Sequence, residues 1–334
     1  MYLADEHRYD AMQYRRSGNS GLKLSAIGLG FWHNFGSVDP FDNQRAIVHT
    51  AFDAGITYFD LANNYGPEPG SAETNFGRIM ARDMRPYRDE MVITSKAGYL
   101  MWPGPYGEWG SRKNIIASAN QSLKRLQLDY VDIFYSHRPD PNTPLEETAL
   151  ALDQLVRQGK ALYIGISNYD PQQTKAIKAI FDDLHTPYIV HQSRYSLFDR
   201  HIDRNGLLQT LADEQTGLVT FSPLAQGLLT DRYLNGIPAD SRAHKSTSPF
   251  LHEDNVEHTL STVKALNELA QQRGQSLAQM AIAWLLHQPV VSCVLVGASR
   301  PSQLQDNLKA FANTDFSTDE INQINALLAK MPQA

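Results

Sequence analysis

The chain has 334 residues and a mass of 37.5 kDa. That is length for about two ordinary domains at ~150 residues each, or for one α/β barrel of ~250 residues with a surplus. Hydrophobic residues make up 42% and charged residues 20%, which excludes a chain disordered over most of its length. A net charge of −6 leaves no basic excess to grip nucleic acid or anionic lipid.

The N-terminus, MYLADEHRYD, carries Asp5, Glu6, Arg8 and Asp10, so it lacks the apolar run of a signal peptide. Residues 1–11 read as an extension ahead of one domain over 12–331. Residues 12–25 (MQYRRSGNSGLKLS) read as a hairpin around Ser17–Gly21, suited to plug the bottom of a barrel. Eight short apolar runs follow: 25–30, 56–62, 91–96, 130–137, 161–167, 187–192, 217–222 and 292–298. Helical spacing begins between them, near Asn43, Ala72, Lys113, Glu146, Pro171, Asn205, Asn255 and Pro301. Ser71, Asp170-Pro171 and Ser299 supply start signals. Eight strands alternating with eight helices predict parallel β/α units closed into a (β/α)₈ TIM barrel. The first run ends Gly28-Leu29-Gly30-Phe31-Trp32-His33, without the third glycine of a dinucleotide-binding loop.

The surplus is distributed. A Gly/Pro/aromatic loop (97–112) follows the third strand, and a long loop (223–255) follows the seventh. Loops of that length in a compact domain are usually functional. Residues 317–331 read as an added C-terminal helix. No apolar run is long enough to span a membrane, and a cytoplasmic location is expected. The single cysteine, Cys293, sits mid-strand and reads as an inert packed thiol, which excludes an intrachain disulfide. The 11 histidines show no metal-ligand spacing, so no catalytic metal is predicted.

In a barrel the reactive groups gather at the C-terminal strand ends. Strand two ends in Asp60, with Tyr65 five residues on; strand three ends in Lys96 and strand four in His137. Each has a bland reading: a turn cap, a packing ring, a structural ion pair, a hydrogen-bonded histidine. Together, on three successive strands, they form a proton-handling set. A lysine beside a phenol lowers the pKa of the phenol, and Asp60 can hold the lysine charge. Tyr65 then reads as a general acid toward a carbonyl oxygen, with His137 orienting the substrate. An acid without a nucleophile suits hydride reduction of an aldehyde or ketone.

The other strand ends supply Ser167-Asn168, Gln192 and Phe221-Ser222-Pro223. The amides of Asn168 and Gln192 match a carboxamide, and Phe221 offers a face for a nicotinamide ring. Gly297-Ala298-Ser299-Arg300-Pro301 opens a helix whose N-terminus is an anion site. Arg232, Arg242 and Arg300 are candidates for a further phosphate. Trp32, His33, Trp102, Tyr106 and Trp109 lie in two rim loops and predict an aromatic-walled substrate pocket.

FDLANNYG, ITSKAG, YSHRPD, GISNY, HQSRYS, TFSPLAQG and VGASRPSQLQDN resemble, in order and spacing, the motifs of the aldo-keto reductase superfamily. GFWHNFG, LANNYGPEPGSAE, GYLMWPGPYG and LAQGLLTDRYLNGIP resemble those of its bacterial L-glyceraldehyde 3-phosphate reductases. RLQLDYVD and RPDPNTPLEET are similar to segments of voltage-gated potassium channel β subunits. The resemblance implies a tetrad of Asp60, Tyr65, Lys96 and His137, and NADP(H) as cofactor. It implies that Ser167, Asn168 and Gln192 hold the carboxamide and that Phe221 stacks on the ring, with Trp32 beside it. It also implies that Ser222, Pro223, Leu224 and Gln226 line the pyrophosphate, with Arg232 and Arg242 alongside. Gly297, Ser299, Gln303, Asp306 and Asn307 would hold the adenosine end; the family often has Glu where Asp306 stands. Trp32, His33, Tyr65, Trp102 and His137 would meet a short aldehyde such as L-glyceraldehyde 3-phosphate or methylglyoxal, with His33 and Arg138 as candidates for its phosphate. A homo-oligomer, tetrameric or higher, is expected by the same likeness.

Two rivals stand beside this reading. One is a cofactor-holding redox sensor like the channel subunits, which carry Asn where this chain has His137. The other is a Schiff-base aldolase centred on Lys96.

Overall fold

Runs rich in β-branched and aromatic residues become strands buried on both faces. A computed structural model describes residues 2–234, 236–237 and 253–331, with the side chains of 253–258 excepted. The strands are β1 (Tyr14–Arg16), β2 (Lys23–Ser25), β3 (Ile27–Gly30), β4 (Tyr58–Asp60), β5 (Val92–Ala97), β6 (Val131–Ser136), β7 (Ala161–Ser167), β8 (Tyr188–Arg194), β9 (Gly217–Phe221) and β10 (Val291–Val296). The pair β1–β2 is the antiparallel hairpin, and β3 to β10 close into a barrel in the order β10-β3-β4-β5-β6-β7-β8-β9. The (β/α)₈ fold expected from the alternation is therefore present. The α-helices are α1 (Phe41–Asp53), α2 (Ser71–Ile79), α3 (Arg112–Leu126), α4 (Leu145–Arg157), α5 (Pro171–Asp183), α6 (His201–Arg204), α7 (Leu207–Asp213), α8 (Glu253–Gln272), α9 (Leu277–His287), α10 (Pro301–Leu308) and α11 (Thr318–Leu328).

The chain falls into two compact units. The first comprises Met1–Ser193, Ile202–Phe221 and Val290–Gln305 and contains the hairpin and the barrel strands, apart from Arg194 at the end of β8. Its interior is a cluster that includes Tyr58, Ile133, Tyr135, Val190, Val219, Cys293 and Leu295, all buried. The hairpin meets the N-terminal ends of the strands mostly through uncharged groups, with the Arg15 guanidinium donating to Val291 O at 3.2 Å. Ser17 Oγ donates to Ile189 O at 2.9 Å and Ser292 Oγ to Arg16 O at 3.1 Å. Asn19 N donates to Gln215 O at 3.0 Å.

The second unit comprises Arg194–His201, Ser222–Pro289 and Asp306–Ala334. Within it, Trp284 packs on Tyr195 with centroids 5.2 Å apart, and Arg273 lies 3.6 Å over the Phe316 ring while bonding Glu320 at 2.5 Å.

Two local expectations change. The pattern begun near Asn255 is two helices, not one: α8 ends at Gln272, and α9 restarts at a Ser276–Gln279 capping box. Ser71 is not the cap of α2 but its first residue; Gly70, with φ of 90°, precedes it, and the Ser71 hydroxyl donates to Glu68 O at 2.7 Å. The Asp170 and Ser317 caps are present as full capping boxes.

Candidate active site

β4, β5 and β6 are neighbours in the barrel, and Lys96 is the register partner of Tyr135, two residues before His137. Inward-facing positions on these strands therefore converge at one rim. Lys96 is fully buried and its Nζ donates to Asp60 Oδ2 at 2.6 Å, Leu61 O at 2.8 Å and Tyr65 Oη at 3.4 Å. Three acceptors match the three ammonium protons. The other carboxylate oxygen of Asp60 accepts from Thr94 Oγ1 at 3.1 Å and from Gln192 Nε2 at 2.8 Å. His137 lies beside Tyr65, ring centroids 5.8 Å apart, and Tyr99 stands edge-on to it at 4.6 Å. The structure thus brings Asp60, Tyr65, Lys96 and His137 together.

Burial dominates the electrostatics. It pushes the Tyr65 phenol well above its usual pKa, with the Asp60 carboxylate, Tyr99 and Tyr135 adding to the shift. Burial lowers Lys96 against the pull of Asp60 and, more weakly, Glu73. Burial also lowers His137 well below the imidazole range, helped by Lys96 and Arg138. The sequence expectation of a Tyr65 acidified by its lysine is therefore reversed: desolvation keeps the half-buried phenol protonated. His137 is neutral near pH 7, and its Nδ1 is buried with no hydrogen-bond partner.

The remaining sequence-predicted residues are placed as follows. Asn168 sits in the left-handed region (φ 63°), and its Nδ2 donates to His137 O at 3.0 Å and Ser167 Oγ at 3.1 Å. With both of its amide protons used, Asn168 offers its Oδ1. Gln192 is joined to Asp60, a link that spacing in the chain does not reveal. Phe221 is half-buried and packs on the barrel interior. Gln303 Oε1 accepts from Ser299 N at 2.9 Å and Ser299 Oγ at 3.1 Å, and a Cβ on Gly297 would meet open space. Within the second unit, Ser222, Ala225 and Gln226 all have positive φ, a strained backbone around Pro223 and Leu224 of the kind stored at binding loops. Arg232 N caps on Thr230 Oγ1 at 3.2 Å. Asp306 accepts from Gln279 Nε2 at 3.1 Å, and the buried Asn307 Nδ2 has no hydrogen-bond partner. Arg242 lies outside the described residues. Within the first unit, the available amide oxygen of Asn168 fits the carboxamide of a nicotinamide.

The aromatic loops are partly as expected. Trp32 is about one-third exposed (36%) and tilts over His33 at 4.4 Å, while Trp102 is half-buried and Tyr106 exposed. Arg138 and Trp109 are not pocket groups. The guanidinium lies 3.7 Å over Trp109 and 4.2 Å over Tyr99, and it donates to Gly98 O at 3.1 Å and Glu108 Oε1 at 2.5 Å. It fastens the loop after β5. Among the described residues no three His, Cys, Asp or Glu side chains gather as a metal site, and no helix is long and apolar enough to cross a membrane.

A closed parallel barrel with an Asp–Lys–Tyr–His cluster at its rim describes a class of carbonyl-reducing enzymes, and residues 26–329 match the aldo/keto reductase family. The chain belongs to that family and is an oxidoreductase. It is 55% identical to L-glyceraldehyde 3-phosphate reductase of Escherichia coli O157:H7, covering 98% of this chain and 96% of the relative. It is 38% identical to a probable voltage-gated potassium channel subunit beta of Oryza sativa subsp. japonica, covering 96% and 98% respectively. A probable subunit of the same kind from Arabidopsis thaliana is also 38% identical, with 97% and 99% covered.

Proposed function

We propose that the protein reduces short aldehydes with NADPH, L-glyceraldehyde 3-phosphate and methylglyoxal among them. The observation that carries this reading is the contact from Lys96 Nζ to Tyr65 Oη at 3.4 Å, with Asp60 at 2.6 Å behind the ammonium. When bound, NADPH supplies the hydride. Tyr65, held protonated by its burial, donates its proton to the carbonyl oxygen as charge builds there. Lys96 stabilises the phenolate that remains, and Asp60 anchors Lys96. Neutral His137 gives a second hydrogen bond to the same oxygen. Asn168 Oδ1 would accept a carboxamide N–H, with Ser167 and Gln192 also holding that group, Phe221 would stack on the ring, and Trp32, His33 and Trp102 would meet the aldehyde. The contacts implied by the resemblance for Ser222, Pro223, Leu224, Gln226, Arg232 and Arg242, and for Gly297, Ser299, Gln303, Asp306 and Asn307, belong to the same reading. So do a cytoplasmic location and a homo-oligomer, tetrameric or higher; light scattering on the purified protein tests the assembly.

The deciding experiment is an aldehyde panel, phosphorylated and unphosphorylated, run with NADPH and NADH side by side. The reading predicts steady cofactor oxidation, faster with NADPH. Tight NADPH binding with no turnover would favour the redox sensor suggested by the 38% likeness to the channel subunits. Borohydride trapping of an aldehyde on Lys96 would replace reduction by Schiff-base chemistry.

A further inference from the structure

Lys96 is held from below as well as from the side. Its Nζ lies 4.9 Å from the centroid of the Tyr65 ring and 5.6 Å from that of Tyr135. Both distances are within cation–π range, an interaction strengthened where water is excluded. Tyr135 is fully buried, directly across the ladder from Lys96 on one side and from Gly165 on the other. A Cβ on Gly165 would stand 2.2 Å from Tyr135 Cε1, so the ring occupies the space that a side chain on β7 would fill. Its hydroxyl is pinned by Tyr58, Oη to Oη 2.5 Å, and Tyr58 is also fully buried. The ring therefore has one place to be, as the floor under the ammonium.

We propose that Tyr135 is a positioning residue whose π face, fixed by the Gly165 notch and the Tyr58 hydroxyl, keeps Lys96 charged and seated against Tyr65. A single carboxylate offsets only part of the desolvation of a fully buried ammonium. An aromatic face adds attraction without adding a second negative charge that would compete for the Tyr65 proton. The titratable groups bearing on Lys96 are Asp60 from β4, Tyr65 from the following loop, Glu73 from α2, and Tyr135 and His137 from β6 and its end. Only the Tyr135 contribution depends on the electron density of a ring at position 135. The role in turnover rests on the reductase reading above; the effect on the Lys96 charge does not.

The test replaces Tyr135 by Phe, and then by fluorinated phenylalanines of the same shape and weakening π face. The Lys96 titration is followed by ¹³Cε NMR in lysine-labelled protein, assigned with a Lys96→Arg variant. Tyr135→Phe, which keeps the ring but frees it from the Tyr58 hydroxyl, is expected to lower the titration by about half a pH unit and kcat about two- to fivefold, less than the fluorinated rings do. A trifluorinated ring is expected to move the titration about one pH unit lower. The alkaline limb of kcat should fall with it, and KM for the aldehyde should change less than twofold. A titration that ignores fluorination overturns the proposal, even if kcat drops. If the native protein turns over no aldehyde, the reductase reading fails while the NMR series still decides the Tyr135 role. Gly165→Ala, which crowds the ring, is expected to reproduce the downward move; an unmoved titration in that folded variant also counts against the proposal.

Discussion

The two ends of the barrel use opposite chemistry. At the N-terminal end the hairpin meets the strands mostly through neutral hydroxyl, amide and carbonyl pairs, such as Ser17 to Ile189 O and Ser292 to Arg16 O, and the guanidinium contact from Arg15 goes to a neutral carbonyl, Val291 O. At the C-terminal end a buried ammonium, a buried carboxylate, a half-buried phenol and a histidine with an orphaned Nδ1 share one rim. Neutral, saturated contacts contribute to stability and little else. Buried charge with an unmade bond costs stability, and it persists where another function requires it. Substitutions at the two ends should therefore separate stability from turnover.

The largest effect is expected from Lys96→Met. It leaves Asp60 buried without its cation, so urea unfolding should show a loss of about 3–5 kcal/mol, together with loss of measurable aldehyde reduction. Tyr65→Phe should break the contrast the other way. Its kcat should fall about 10²–10⁴-fold, with a smaller loss of about 1–2 kcal/mol on unfolding because the buried ammonium loses one of its three acceptors. A Tyr65→Phe protein that keeps more than a tenth of its rate would remove Tyr65 from the acid role.

Gly18→Ala probes the opposite end. Gly18 has φ of 55°, and a Cβ there would stand 2.0 Å from Gln215 O. A destabilisation of about 1–3 kcal/mol is expected, with kcat unaltered well below the melting temperature. A matching fall in kcat would mean that the two ends are coupled. The smallest effect is in the pH profile. His137 titrates well below the usual imidazole range, so kcat should stay flat through pH 6–7, where an ordinary histidine near ~6.5 would produce a limb. Lys96 titrates below the usual lysine value, so the ammonium and the rate should be lost on the alkaline side before an exposed lysine would deprotonate.

Much of this was legible in the chain, for a physical reason. β5 and β6 are continuous runs, VITSKA and VDIFYS, buried at every position. Such runs announce a parallel sheet, and Lys96 and His137 at or beside their ends announce a rim. The break between α8 and α9 was not legible. LAQMAIAWLLH is apolar around its whole circumference, and a helix buried on all faces loses the 3.6-residue signature that marks a boundary. The tether made by Arg138 was not legible because its partners, Gly98, Glu108 and Trp109, lie about 30 to 40 residues away and meet it only through β5–β6 pairing.

Composition and order alone determined the alternation of strands and helices, the residues delivered to each strand end, and so the family chemistry. These follow from local propensity and from the two-residue and 3.6-residue periods, which act over short stretches of chain. Tertiary structure decided which way each group titrates, that Gln192 holds Asp60, that Arg138 fastens a loop, and that Tyr135 lies under Lys96. Those outcomes depend on desolvation and on distances of a few ångströms between strands far apart in sequence. The reversal at Tyr65 is the clearest case. The neighbouring lysine is visible in the sequence, but the burial that outweighs it exists only once the barrel has closed.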